Sequence, residues 1–580
     1  MQFGRSNRCY NINRGKSMGP TNLVWYRSKT LAMVAISSTA LMLGAPSAYA
    51  APTVITAQGT LRGLAAETAE AFFAVPYATP PLGILRFQPS QPPQPYPGGV
   101  RDATSLPPPC YQAGAATATA PAPSEDCLYL NLWRPAGTLP NQKLPVLVYF
   151  HGGGLRLGDS NSQSPIPMVT TTPMIVVYPH YRLGAFGWLA LPALDKETAY
   201  DKESADDEET ADGMSSGNYG FLDVVQSLRW VKENIAAFGG DPDAVTIGGA
   251  SSGGQLVCIA LTAPLKEKLF HQAILQSGEC APSSTADRGS TQPAARAFMV
   301  THQQELLSGI PFAVKLGCTD PETFAACLRA VSASALFAGG LTPHPNVGGA
   351  LMPAFFFDAI RSRHIAKVPV LLGVSHDELR SFPLPTTGFP GTVDGYHNFM
   401  TATFGTLASI VEAMYPVTSY SAPAYAAGAA LSDSGAALSD LGIPSGIGVC
   451  SMLFEQADPL SEVTPTYAYE FDDPNASGGG AIPAGFVPGS QHGSEGRFLY
   501  SNISLPGAIR PDEQVMAYSM LRYWGSFIAS GHPSDGVLPW PRYDPTAQSV
   551  MRFQPNGNLV LPRGLVSNEH NCDFWLGLGY

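Results

Sequence analysis

Residues 244–261 read AVTIGGASSGGQLVCIAL. AVTIGG (244–249) is a short run of strand-forming residues, and QLVCIALTA (255–263) is an apolar run of helical character. Between them Gly249-Ala250-Ser251-Ser252-Gly253 fits G-x-S-x-G, the pattern of a serine on a sharp strand-to-helix turn. The residues two before and two after such a serine must be nearly free of side chain for the turn to close. The turn then lifts Oγ above the sheet and puts the next N–H at a helix N-terminus, where an oxyanion is stabilised. Gly/Ser turns arise easily in a chain with 59 glycines, so the flanking strand and helix carry the reading. Ser252 is the neighbouring candidate, but its register puts Ala250 at the first small position. Ser251 has glycine on both sides and is preferred.

Outward from this turn the chain alternates strands and helices. LPVLVYF (144–150) and MIVVYP (174–179) read as strands buried on both faces, as in a parallel sheet covered by helices. GNYGFLDVVQSLRWVKENIAAFGGDP (217–242) carries Leu222, Val225, Leu228, Trp230, Val231 and Ile235 at helical spacing and stops at Gly239-Gly240. FHQAILQS (270–277), VPVLLGV (368–374) and PTYAYEF (465–471) continue the pattern, and TVITAQGTLRGL (53–64) reads as two short strands about a Gly turn. The fold class is α/β. Three segments read as insertions: a small-residue loop at 110–127, an exposed acidic loop at 193–217, and a low-complexity stretch at 425–442 suited to a surface helix.

The 580 residues are 45% hydrophobic, which excludes disorder for most of the chain, and 13% charged, which speaks against coiled coil. A net charge of −12 argues against nucleic acid as a partner. Residues 1–50 hold Arg5, Arg8, Arg14, Lys16, Arg27 and Lys29 and no acid, then an apolar run from Leu31 to Leu43, then Ala48-Tyr49-Ala50. These are the parts of a secretory signal peptide cleaved near Ala50, and Met18 serves equally as its start. The apolar run is short for a membrane anchor. Removing those six positive charges takes −12 to −18. The expectation is an acidic secreted or periplasmic protein with one domain over 51–580 and no stable membrane anchor. Nothing in the pattern sets an oligomeric state.

Eight cysteines then remain, an even set suited to an oxidising compartment, with no CxxC and no zinc spacing. His151-Gly152-Gly153-Gly154 follows directly on LPVLVYF, where a serine hydrolase of this architecture supplies further oxyanion N–H groups. The acid and the histidine follow the nucleophile in that order. Asp377 and Glu378, after the strand VPVLL, are both candidates for the acid, and the chain pattern does not separate them. Of the late histidines His397, His492, His532 and His570, His492 lies in the Gly/Ser-lined loop GSQHGSEG (489–496), where an imidazole can approach the nucleophile.

SEDCLYLNLW (124–133), GGASSGG (248–254), VPYATPPLGILRF (75–87), YRLGAFGWL (181–189), FGGDP (238–242) and YWGSFIASGHP (523–533) together resemble the type B carboxylesterases, relatives of the cholinesterases. The similarity runs from about residue 53 to residue 575. It implies an α/β-hydrolase fold with a large, mostly parallel central sheet, helices on both faces and long loop insertions. It implies Ser251, Glu378 and His492 as the catalytic triad and Gly153, Gly154 and Ser252 as oxyanion donors, choosing Glu378 over Asp377. It further implies disulfides Cys110–Cys127, Cys318–Cys327 and Cys450–Cys572, leaving Cys258 as a buried thiol apart from Cys280, and ion pairs Arg86–Glu125 and Arg182–Asp223.

The departures bear on substrate. Ala250 stands where the family usually has Glu, Tyr111 is the only aromatic residue inside the 110–127 loop, and Leu379 replaces a Gly. Without a carboxylate at 250 or an aromatic platform in that loop, choline esters are poor candidates. The expected function is hydrolysis of small-molecule carboxylic esters through an acyl-enzyme, with no metal or cofactor required. A specialised hydrolase of a polyester, toxin ester or amide is the alternative, and a non-catalytic adhesion module on the same fold is a more distant one.

Overall fold

A computed structural model describes residues 50–114, 121–200, 215–265, 267–280, 299–380, 390–436, 448–476, 486–502, 509–544, 546–547 and 549–578. The signal-peptide expectation therefore falls outside the described residues, as does 201–214 of the acidic insertion. Eleven strands form the main sheet: β1 (Leu64–Ala65), β2 (Ala69–Pro76), β3 (Tyr129–Pro135), β4 (Leu144–Phe150), β5 (Ile175–Pro179), β6 (Gly240–Ala250), β7 (Gln272–Gln276), β8 (Val370–Ser375), β9 (Thr466–Phe471), β10 (Ser549–Phe553) and β11 (Leu559–Pro562). Their order across the sheet is β11-β10-β9-β8-β7-β6-β4-β5-β3-β2-β1. The stretch from β10 to β5 is parallel throughout, and antiparallel strands close both ends. Thr53–Thr56 and Gly59–Arg62 pair as the expected hairpin, outside this sheet.

The helices that matter for the site are α1 (Pro192–Tyr200), α2 (Tyr219–Asn234), α3 (Ser252–Thr262), α4 (Pro423–Ser434), α5 (Gln514–Ser530), α6 (Arg563–Glu569) and α7 (Cys572–Gly577). Strand β4 shows why its sequence lacks polar alternation. Val146, Val148 and Phe150 face a core shared with Val224 and Leu228 of α2 and Leu256 and Val257 of α3. Leu147 and Tyr149, one residue out of step, face a second core with Met520, Trp524 and Phe527 of α5. Both faces of the strand are covered, so both sets of side chains are apolar.

Two insertions differ from expectation. The acidic stretch begins as helix α1, with proline at its start and Asp195 in its first turn. Asp195 accepts from Ser216 N at 2.7 Å and pairs with His302 at 2.9 Å, so this acid has partners inside the fold. Residues 437–442 of the low-complexity stretch fall outside the described residues, and 425–434 lie in α4, which is mostly buried rather than on the surface. Its small side chains permit this: a Cβ on Gly428 would lie 2.8 Å from Cγ of Arg380.

The pairs Cys110–Cys127, Cys318–Cys327 and Cys450–Cys572 are bonded. Cys258 and Cys280 also form a disulfide, joining α3 to the segment after β7, which corrects the buried-thiol reading. The inward face of α3 is uniformly apolar in sequence, and nothing local signals the approach of residue 280. Arg86–Glu125 and Arg182–Asp223 are ion-paired and almost wholly buried. Arg182 meets Asp223 with Nε and Nη2 and also bonds the Gln88 carbonyl, holding separate loops together.

Candidate active site

Ser251 lies between β6 and α3 at φ 56°, ψ −127°, a backbone state that side chains other than glycine rarely adopt. Close packing of glycines holds it there. A Cβ on Gly249 would sit 2.4 Å from the carbonyl carbon of Gly253, and one on Gly253 would sit 2.0 Å from the Phe150 oxygen. Ser251 N donates to the Gln276 carbonyl at 2.9 Å, and Gln255 N starts the helix by donating to the Ser251 carbonyl.

The His151–Gly154 bend packs against this elbow. A Cβ on Gly152 would lie 2.8 Å from the Ala250 oxygen and 3.0 Å from Cβ of Ser251. Gly153 and Gly154 have φ of 113° and 63°, open to glycine alone without strain. Leu155 N donates to Ser252 Oγ at 3.3 Å, locking the bend to the first turn of α3. The backbone N–H groups of Gly153, Gly154 and Ser252 make no hydrogen bond with described residues. His151 stacks on Tyr181 with ring centroids 4.4 Å apart, and its Nδ1 meets the Gly152 carbonyl at 2.8 Å. Burial pulls its pKa down, which suits a structural neutral imidazole.

On the loop after β8, Glu378 is fully buried and its Oε2 lies 2.5 Å from Nδ1 of His492. Glu378 Oε1 accepts from Ser277 Oγ at 2.6 Å and from Ser375 N at 2.7 Å. His492 N donates to the Glu378 carbonyl at 3.1 Å. Burial opposes a charge on His492, but the charge and hydrogen bond of Glu378 and the charge of Glu495 outweigh it and raise its pKa. Asp377 does not meet His492: its Oδ2 accepts from Ser490 N at 3.0 Å, and its other oxygen faces Arg380 and His376. The two adjacent carboxylates thus divide the work, one meeting the imidazole and one tethering the loop that bears it.

Three residues absent from the expected site emerge. Gln276 and Ser277, at the end of β7, link the elbow to the acid: the Gln276 carbonyl holds Ser251 N, and Ser277 Oγ holds Glu378. Glu495 is buried behind His492, with Gln276 Nε2 and Tyr469 Oη each 3.4 Å from its Oε1. Burial and then the Glu378 charge push its pKa up to about 7. The H-x-x-E spacing of 492–495 was in the sequence, but its inward direction was not.

Behind the acid loop lies a buried charge cluster. His570 places Nδ1 2.6 Å from Asp433 and Nε2 2.6 Å from Glu470. Arg552 bridges Glu470 and Glu569, and Glu569 faces His376, whose ring lies 4.5 Å from that of His570. Burial opposes a charge on His570, yet Asp433 and Glu470 raise its pKa to about 9 despite the His376 cation. Donor atoms of His376, Glu470 and His570 lie within 4.8 Å of one another, the grouping a metal would need. Each of these ring nitrogens already faces a carboxylate, so the cluster acts as a network of ion pairs.

The model of the carboxylesterase family matches residues 50–202 and 208–575. The chain belongs to that family. This carboxylesterase is 32% identical over 564 residues to a liver carboxylesterase of Sus scrofa, covering 89% of the chain and 91% of the relative. It is 29% identical over 562 residues to a medium-chain fatty acyl-CoA hydrolase precursor of Anas platyrhynchos, covering 91% and 92%. It is 30% identical over 518 residues to a fumonisin B1 esterase of Sphingopyxis macrogoltabida, covering 86% and 85%. Family and relatives make it a carboxylic-ester hydrolase with the α/β-hydrolase fold. No helix among the described residues is long and apolar enough to cross a membrane.

Proposed function

We propose that this carboxylesterase is an exported serine esterase working through Ser251, His492 and Glu378. Ser251 Oγ attacks the ester carbonyl while His492 takes its proton, and Glu378 holds the imidazole in the tautomer that accepts it. The N–H groups of Gly153, Gly154 and Ser252 receive the tetrahedral oxyanion. His492 then protonates the leaving alcohol, and water repeats the sequence on the acyl-enzyme. The observation that carries this reading is the 2.5 Å contact between His492 Nδ1 and the buried Glu378 carboxylate, on the loops that follow two neighbouring strands. Export is supported by the four disulfides, which persist in oxidising compartments. Ala250 and the sparse aromatic content of the 110–127 loop argue against a choline-ester specialist.

A bulky toxin ester is a second reading, favoured by the likeness to a fumonisin B1 esterase. The test is hydrolysis of p-nitrophenyl acetate to palmitate, and of fumonisin B1, by wild type and Ser251→Ala, with labelling by a serine-reactive phosphonate. Wild type alone should turn over esters and take the label. Activity and labelling that survive in Ser251→Ala would reject the triad.

A further inference from the structure

Leu379 and Arg380 directly follow Glu378, and Leu379 is the residue that replaces the family's glycine. Both dock on one face of α4, formed by Tyr425, Gly428 and Ser432 at helical spacing. Leu379 is fully buried, and its N–H donates to Ser432 Oγ at 3.1 Å. Gly428 leaves room for the Arg380 side chain, because a Cβ there would lie 2.8 Å from its Cγ. The Arg380 guanidinium then lies over the Tyr425 ring, 5.7 Å from its centroid.

The same two residues reach the segment that leads into His492. Tyr425 stacks on Phe486, with ring centroids 5.2 Å apart and planes 10° from parallel. Its Oη accepts from Val487 N at 3.0 Å. Gly489 passes against Arg380: a Cβ on it would lie 2.6 Å from Nη1 and would also collide with the Asp377 carboxylate. Arg380 Nη2 pairs with Asp377 Oδ1, and Asp377 Oδ2 accepts from Ser490 N at 3.0 Å. Asp377 N donates to the Ser490 carbonyl at 2.9 Å, and His492 N donates to the Glu378 carbonyl at 3.1 Å. The loop of the acid and the loop of the histidine are thus zipped together at 377–490 and 378–492. Arg380 and Tyr425 clip that zipper to α4.

We propose that Arg380, clipped to Tyr425, is a positioning residue that sets the register of the histidine loop against the acid loop. The inference rests on the triad of the proposed function. Arg380 acts through Asp377: the guanidinium holds Oδ1, Oδ2 is left aimed at Ser490 N, and the Ser490 backbone sets the path to His492. A planar guanidinium pairs with a carboxylate along its edge and covers a ring with its face, whereas a lysine ammonium keeps the charge without the plane. His376 Nδ1 faces Asp377 Oδ1 at 3.2 Å, so a variant without Arg380 still leaves Asp377 a partner.

The test follows p-nitrophenyl acetate hydrolysis against pH in wild type, Arg380→Gln, Arg380→Lys and Tyr425→Phe, each checked for fold by near-UV circular dichroism. In Arg380→Gln kcat should fall about tenfold, part of the roughly 10²-fold that a 1 Å misplacement costs, with KM within about twofold. The acid limb of kcat/KM should move down by about half a pH unit. The charges that raise the His492 pKa are those of Glu378 and Glu495, and a loosened Glu378 contact favours the imidazolium less. Loss of the Arg380 charge alone would move the limb up instead, because a nearby cation disfavours an imidazolium. Arg380→Lys should recover part of both effects, and Tyr425→Phe, which loses the Val487 bond, should lower kcat about two- to threefold. A folded Arg380→Gln enzyme whose acid limb stays put or moves up, or whose kcat stays within about twofold of wild type, overturns the inference and leaves the triad standing. If Arg380→Gln does not fold, Tyr425→Phe decides, and wild-type kcat in it overturns the inference. Hydrolysis that survives in Ser251→Ala overturns the triad itself.

Discussion

Gly253→Ala tests whether packing, rather than residue chemistry alone, builds the site. The new Cβ would meet the Phe150 oxygen at 2.0 Å and the His151 oxygen at 2.8 Å, where ordinary contact begins at 3.4 Å. Relieving the first contact alone requires a shift of 1.4 Å, and both partners are backbone atoms with no rotamer to change. The strand end that bears the glycine bend must therefore part from the helix that bears Ser252. A misplacement of about 1 Å in a positioned site costs roughly 10²-fold in rate, and loss of an oxyanion donor costs about 10²- to 10³-fold. The expected fall in kcat for p-nitrophenyl acetate is thus about 10²- to 10³-fold, with about 1–3 kcal/mol of overpacking lost from stability. Gly496→Ala is the control. Gly496 is helical, four residues from His492, and a Cβ there meets nothing within 4 Å. A folded Gly253→Ala enzyme, by near-UV circular dichroism, that keeps kcat within about threefold of wild type would refute the packing argument.

Three further outcomes are expected. In Glu495→Gln the acid limb of kcat/KM against pH should move to lower pH, because the Glu495 charge helps raise the His492 pKa; an unmoved limb counts against that coupling. Denaturant titrations from pH 6 to 10 should show stability falling with rising pH. The folded pKa of His570, at about 9, exceeds the unfolded value of about 6.5, so its contribution is full below 6.5 and lost through 9. That contribution is about 3 kcal/mol, and a His570→Gln variant with the same alkaline slope as wild type would discount it. Replacing Cys258 and Cys280 together by alanine should cost about 2–4 kcal/mol, and the denatured wild type should show no alkylable thiol at either position.

What could be read in advance was whatever depends on neighbours along the chain. Gly249, Ser251 and Gly253 announce the elbow because its closure is a local steric requirement, and LPVLVYF announces a strand covered on both faces. Asp377 and Glu378 were indistinguishable because adjacent carboxylates differ only in which way the loop turns them. The role of Ser277 depends on Glu378, 101 positions further along, and that of Gln276 on Ser251, on the preceding strand-to-helix turn, and no spacing rule reaches either contact. Cys258 and Cys280 looked unconnected because helix and strand hide their approach. The Ala-rich stretch now seen as α4 was misplaced on the surface because composition alone does not say that small residues are there to admit neighbours.

The charge cluster around His570 ties together parts of the chain that lie far apart in sequence. Glu569 and His570 reach back to His376, Glu470 and Asp433, and Cys572 is bonded to Cys450, 122 residues earlier. These contacts brace the segment that presents Asp377 and Glu378. Substitution at Glu569 or His570 should therefore loosen the loop that bears Asp377 and Glu378 while leaving the turn at Ser251, which makes none of these contacts, in place.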